Sequence, residues 1–179
     1  MIFLNPIDVL VSVVDEVRKT IDYTKPKHDL RNYTNWKLVC MIYIRLLKYY
    51  SEDTIFVWRN PKTGKTTITG EPIHLYLDTD PPIAVRVFSM LGFNSREKAG
   101  RLFRSTGAGS LGNFFNIPVR NRVCILFDNH PLYVEWRIHR ILGLIPEYRR
   151  EGAYIIHTTK SGTKVYRLWE FVSDFYLGE

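Results

Sequence analysis

Apolar residues recur at a helical period near the start of the chain and switch to a shorter period beyond Thr54. Asn5-Pro6 opens a segment in which Ile7, Leu10, Val14, Val17 and Ile21 share one side of a helix. Residues 23–33 are polar and contain Pro26, the signature of a loop. A second helix is expected from Thr34 or Asn35 to about Tyr50. Its Trp36, Val39, Cys40, Ile42, Tyr43, Leu46 and Leu47 cover the helix broadly enough for deep burial. Residues 54–58 and 65–69 flank Asn60-Pro61-Lys62-Thr63-Gly64, which is hairpin chemistry. Residues 73–77 read as a strand, and 82–91 as a short helix stopped by Gly92. A helical or mixed segment begins at Ser95, with 101–104 closing it or forming a strand. Residues 119–127 are strand-like and end in the turn Asp128-Asn129-His130-Pro131. Residues 154–159 and 164–168 flank Lys160-Ser161-Gly162-Thr163, a second hairpin with a basic rim. A short amphipathic stretch over 169–177 follows.

One segment fits two periods. Leu132, Val134, Trp136 and Ile138 alternate with polar neighbours as in a strand, while Val134, Ile138, Ile141, Leu142 and Ile145 form a helical stripe. The pattern as a whole predicts an α+β fold, with N-terminal helices over 1–53 packed on an antiparallel-rich mixed sheet formed by 54–179.

Composition narrows the class. The 179 residues are 45% hydrophobic and 14% aromatic, enough to build a core and to exclude a disordered chain. No apolar run reaches the ~18 residues of a membrane span. The start lacks a basic n-region and meets Asp8 early, unlike a signal peptide, so a cytoplasmic location away from membrane is expected. Cys40 and Cys124 have apolar neighbours and no metal-ligand spacing, so both are expected as buried thiols. Glutamine is absent and only two cysteines occur, a usage that hyperthermophile proteins share and that points to a thermophilic source.

The net charge is +7, and residues 93–127 carry +5 of it: Arg96, Lys98, Arg101, Arg104, Arg120 and Arg122 against Glu97 alone. Such a concentration suits a polyanion, either nucleic acid (DNA foremost) or nucleotide phosphate.

Candidate chemistry begins at Leu75-Tyr76-Leu77-Asp78-Thr79-Asp80, followed by Pro81-Pro82. Strand residues two apart point to one face, so Asp78 and Asp80 would stand side by side and could hold Mg²⁺ or Mn²⁺. The structural alternative makes Asp80 a helix N-cap with Pro81 at the first helical position. The glycine-rich run Ser105-Thr106-Gly107-Ala108-Gly109-Ser110-Leu111-Gly112-Asn113 has the glycine spacing of a dinucleotide-binding turn. It lacks the preceding strand, the following helix and the acidic residue that motif requires. A loop whose amides cradle phosphate is the remaining function for it. On the strand reading of 132–139, Glu135, Arg137 and His139 share a face, so an acid and a base would point into one cleft, and Asp128 is a reserve carboxylate.

The order of these elements resembles the archaeo-eukaryotic primase and primase-polymerase superfamily. The matching residues are Leu75 to Pro82, Ser105 to Leu111, Glu135 to Gly143 and Lys160 to Val165, within a stretch from Thr54 to Leu168. The resemblance implies metal-dependent nucleotidyl transfer in DNA replication, by the chain alone or as a subunit of a replication complex. Asp78, Asp80 and Glu135 would then hold metal. Arg104, Ser105, Thr106, Gly107 and Gly109, with Arg137 and Arg140, would hold nucleoside triphosphate. Arg96, Lys98, Arg101, Arg120, Arg122, Lys160 and Lys164 would track the nucleic acid. The family's loop histidine falls at Leu111 or Phe114, which implies either a variant recruiting His139 or His157 or a relative that binds without catalysis.

A second reading takes Arg140-Ile141-Leu142-Gly143-Leu144-Ile145 as the end of a recognition helix, followed by Arg149-Arg150-Glu151-Gly152 and the hairpin 154–168, as in a winged-helix transcriptional regulator. Tyr133, Arg137 and Arg140 would face the major groove, and Lys160 and Lys164 the phosphate backbone. A structural or partner-binding protein is the third.

Overall fold

The computed structural model describes residues 5–57, 73–93, 111–129 and 134–171. The second arm of the first expected hairpin, the basic and glycine-rich stretch over 94–110 and most of 169–177 lie outside them.

The first helix, α1 (Pro6–Lys19), starts where the sequence places it. The Asn5 side chain accepts the Ile7 N–H at 2.9 Å, and Pro6 supplies a backbone angle already suited to the first turn. Val9, Leu10, Val13, Val14 and Val17 are buried along its inner stripe. Each buried aliphatic side chain is worth about 1.5–3 kcal/mol, so docking rather than intrinsic propensity holds the helix. Within the expected loop the chain forms one short helix, α2 (Lys27–Leu30). Thr34 caps α3 (Asn35–Leu46) by accepting the Lys37 N–H, and Leu38, Val39, Ile42 and Leu46 are buried. The helix stops four residues short of Tyr50, and Leu47 is exposed.

Among the described residues six strands follow in chain order across one sheet: β1 (Ile55–Val57), β2 (Leu75–Leu77), β3 (Ile83–Ser89), β4 (Asn121–Phe127), β5 (Ala153–Thr159) and β6 (Gly162–Arg167). Pairing is antiparallel for β1–β2, β2–β3 and β5–β6, and parallel for β3–β4 and β4–β5. The sheet is thus mixed, with its parallel strands at the centre.

The expected helix over 82–91 is instead β3. Its run Ile-Ala-Val-Arg-Val-Phe-Ser is covered on both faces, and a doubly covered strand reads as a continuous apolar run that periodicity alone does not separate from a helix. Asp80 accordingly caps no helix; the Asp80–Pro81 peptide bond is cis and the chain enters β3 directly. The ambiguous segment resolves the other way, as α5 (Val134–Leu142), preceded in the chain by the short α4 (Leu111–Phe115). The parallel pairing demands this, because a crossover between parallel strands needs a connection long enough to carry a helix.

The sheet separates two cores. On one side α1 and α3 pack against Val85, Val87, Val123, Ile125, Phe127 and Ile156. On the other, α4 and α5 bring Phe114, Phe115, Ile138 and Ile141 against Ala84, Cys124, Leu126 and Ile155. The hairpin β5–β6 is part of this sheet, since β5 bonds to β4 along its other edge. It is therefore not a projecting wing. Of the two cysteines, only Cys124 is buried; Cys40 is exposed, and the two are not bridged.

Candidate functional site

Charged and aromatic side chains gather at both ends of the parallel strands. At the carboxyl ends of β4 and β5, the backbone turns out of the sheet at Asp128. Arg137, about one turn into the crossover helix α5, reaches back to it with Nε to Oδ2 at 2.7 Å and Nη2 to Oδ1 at 3.1 Å. His157 on β5 joins from the side, Nε2 to Oδ2 at 2.9 Å. All three are buried, with Asp128 and Arg137 1% exposed and His157 5%. Burial would raise the Asp128 carboxyl, but the hydrogen bonds from His157 and Arg137 and their charges overcome it and hold the group at about 2. Asp128 is thus an ionised acceptor, and His157 Nε2 is the donor. The network fastens α5 to the sheet.

At the amino ends of β4 and β5 the molecule opens a cleft of about 710 Å³. Arg120, Arg122 and Arg149 line it together with Tyr148, Tyr154 and Trp169; among the described residues Glu151 is its one carboxylate. Arg122 is 2% exposed and donates to the backbone carbonyls of Phe115 and Glu151. Its Nε–H has no hydrogen-bond partner among the described residues. Burial, together with the charge of Arg149, draws its guanidinium down to about 10, so it stays cationic at neutral pH. The chain can turn here because Gly152 adopts φ +79°; a Cβ at that position would meet the Arg120 carbonyl oxygen at 2.0 Å. The short 3₁₀ turn Glu147–Arg149 presents Tyr148, which is 82% exposed. Trp169 stands edge-to-face with Tyr154, ring centroids 5.0 Å apart.

The expected site residues are distributed over both ends. Asp78 and Asp80 are exposed just beyond β2. Because Leu77 pairs with Ile83 and Ile83 with Asn121, they lie at the same sheet end as the cleft. Glu135 is exposed in the first turn of α5. Burial and the nearby Glu135 carboxylate both raise the Tyr166 hydroxyl, which places Glu135 beside β6. Four strand spacings, about 19 Å, separate β2 from β6, so Asp78, Asp80 and Glu135 are not gathered around one pair of ions. Among the described residues no group of three or more His, Cys, Asp or Glu side chains is set to hold a metal.

As a helix, the segment from Glu135 to His139 turns about 100° per residue and does not share one face. Arg137 and His139 are buried, whereas Arg140 is exposed with its guanidinium 5.7 Å from the Trp136 ring centroid. An Arg137 held by Asp128 faces no major groove. Lys160 and Lys164 are exposed at the carboxyl end of β5 and on β6, away from the cleft. Arg96, Lys98, Arg101, Arg104, Ser105, Thr106, Gly107 and Gly109 lie outside the described residues.

Sequence reasoning missed Tyr148, Arg149, Gly152 and Trp169 as cleft residues. The signal available was the cluster Tyr148-Arg149-Arg150-Glu151-Gly152 just ahead of a strand. Searches of protein-family models, curated proteins and solved structures find no match to this chain.

Proposed function

We propose that the protein binds nucleic acid through the cleft at the amino ends of β4 and β5. The observation that carries this reading is the set of three arginines around one open cleft, with a single carboxylate among the described lining residues. Arg122 is fixed by backbone carbonyls and supplies a permanent positive base, while Arg120 and Arg149 remain able to meet phosphate oxygens. Backbone phosphates release counterions when arginines neutralise them, so affinity should fall steeply with salt. The test is fluorescence anisotropy of labelled DNA over a salt series, comparing the native chain with an Arg120→Ala/Arg149→Ala double variant. The reading expects weaker binding and a shallower salt slope in the variant. Identical curves would sink it.

Metal-dependent nucleotidyl transfer is a second reading, favoured by one observation. The Asp78 and Asp80 carboxylates stand exposed, with no hydrogen bond or ion pair among the described residues, at the sheet end that holds the cleft. Such a pair is available to Mg²⁺ or Mn²⁺ without breaking any internal contact. Primer synthesis and extension with Mn²⁺, lost in Asp78→Ala/Asp80→Ala, is the expected result. Activity that survives the double substitution rules this reading out.

A further inference from the structure

The cleft holds more than charge. Cations alone would serve any polyanion, but here Tyr148 and Trp169 line the same space as Arg120 and Arg149. Tyr148 is a large aromatic side chain displayed to solvent at 82% exposure, and it is held on a short turn rather than packed into either core. Trp169 is 40% exposed and is steadied by the perpendicular Tyr154 ring. Neither residue contributes to the interior in proportion to its size. Aromatic side chains beside a cationic groove are the arrangement that receives unpaired bases, because every base has a π-face and none needs a hydrogen-bond code to stack. In a duplex those faces are already stacked on neighbouring pairs. A volume of about 710 Å³ lies within the range of ligand-sized clefts, so the space suits one or two nucleotides lifted from a strand.

Resting on the reading of the cleft as a nucleic-acid site, we propose that it selects single strands, with phosphate against Arg120 and Arg149 and a base stacked on Tyr148 and against Trp169. Arg122 is a fixed cation in the lining, since its guanidinium is locked to the Phe115 and Glu151 carbonyls while its Nε–H has no partner among the described residues. Gly152 permits the approach, as any side chain there would strike the Arg120 backbone.

The test uses the full chain and two labelled probes, a 20-nucleotide thymidine strand and a hairpin duplex of equal phosphate number. Tyr148→Ala should weaken binding of the single strand by about 5- to 100-fold, the range for losing one stacked base, and leave the duplex nearly unchanged. Tyr148→Phe keeps the ring and should restore the strand. Binding of the strand should also quench tryptophan fluorescence, and Trp169→Phe should remove that change. The inference is overturned if Tyr148→Ala weakens both probes alike or neither. It is equally overturned if thymidine monophosphate displaces the strand at matching nucleotide concentration, since the cleft would then be a mononucleotide site. Arg120→Ala/Arg149→Ala separates the two levels of the claim. If it abolishes binding while Tyr148→Ala does nothing, the nucleic-acid reading stands and the stacking fails. If the arginine variant binds normally, both fail.

Discussion

Asp128 and Arg137 meet as a two-pronged ion pair, Nε to Oδ2 at 2.7 Å and Nη2 to Oδ1 at 3.1 Å, where β4 hands the chain to α5. Removing one partner of such a buried pair leaves the other charge without compensation, which costs about 3–5 kcal/mol. Arg137→Ala should therefore destabilise the fold by that order, measured as a lowered urea midpoint at unchanged slope. Arg140→Ala, on the exposed side of the same helix, should change stability by no more than about 0.5 kcal/mol.

The same carboxylate sets an acid limit on stability. Asp128 sits at about 2 in the folded chain, below the ordinary value of 3.8. A depressed carboxyl contributes stability that is fully present above the unfolded value and is lost as pH falls through the folded one. The loss should run from about pH 4 down to about pH 2 and amount to about 2 kcal/mol. Urea titrations at several pH values in that window should show it. Asp128→Asn should flatten the dependence while lowering stability at neutral pH.

Gly152 should resist substitution. With φ +79° and the Arg120 carbonyl oxygen 2.0 Å from where a Cβ would stand, Gly152→Ala forces the backbone to move. A loss of at least about 1–3 kcal/mol in thermal or urea unfolding is expected, with distortion of the cleft. At Gly162 nothing lies within 4 Å of an added Cβ. Gly162→Ala should consequently cost less than Gly152→Ala in the same assay.

Asp78→Ala/Asp80→Ala should fold as well as the native chain, within about 0.5 kcal/mol, because neither carboxylate is engaged in an internal contact. If these residues hold Mn²⁺, calorimetric titration should show binding lost in the double variant and retained in Glu135→Ala, whose position near β6 is remote from β2.

The two thiols should differ sharply in reactivity. Burial pushes Cys124 up to about 12, whereas Cys40 is exposed. Ellman's reagent should therefore titrate one thiol in the native chain and two after denaturation. Cys40→Ser should abolish the native signal.

Much of the framework was legible from local chemistry. Asn5-Pro6 and Thr34 marked their helix starts because capping is a matter of adjacent residues, and the turn around Gly162 announced the β5–β6 hairpin. What failed depended on neighbours distant in sequence. The run from Ile83 to Ser89 is a strand because two helical layers cover it, and Val134 to Leu142 a helix because parallel strands must be bridged. The site suffered likewise. Asp128, Arg137 and His157 were each noticed for separate reasons, but nothing in their spacing showed that they form one network. Glu135, Arg137 and His139 were grouped by an assumed strand, and helix formation dissolved that grouping; Asp78 and Asp80 were joined to Glu135 by the order of motifs, which carries no information on the strand spacings between β2 and β6. The cleft combines residues 118–122 with 148–154 and Trp169, a juxtaposition created by the parallel pairing of Arg122 with Ala153.

Strand order in this sheet is also chain order, so each new strand can add to the edge its predecessor has just exposed. One tie breaks that sequence. Thr163 of β6 donates to Asp15 of α1 at 2.9 Å, and Arg18 donates to the Lys160 carbonyl, spanning 148 and 142 residues. During synthesis on a ribosome, α1 emerges long before β6 exists and must wait with that flank uncovered. The final hairpin thereby acts as a completion signal. A nascent chain stalled before residue 160 should leave α1 open to proteases and chaperones, and release of the hairpin should close it.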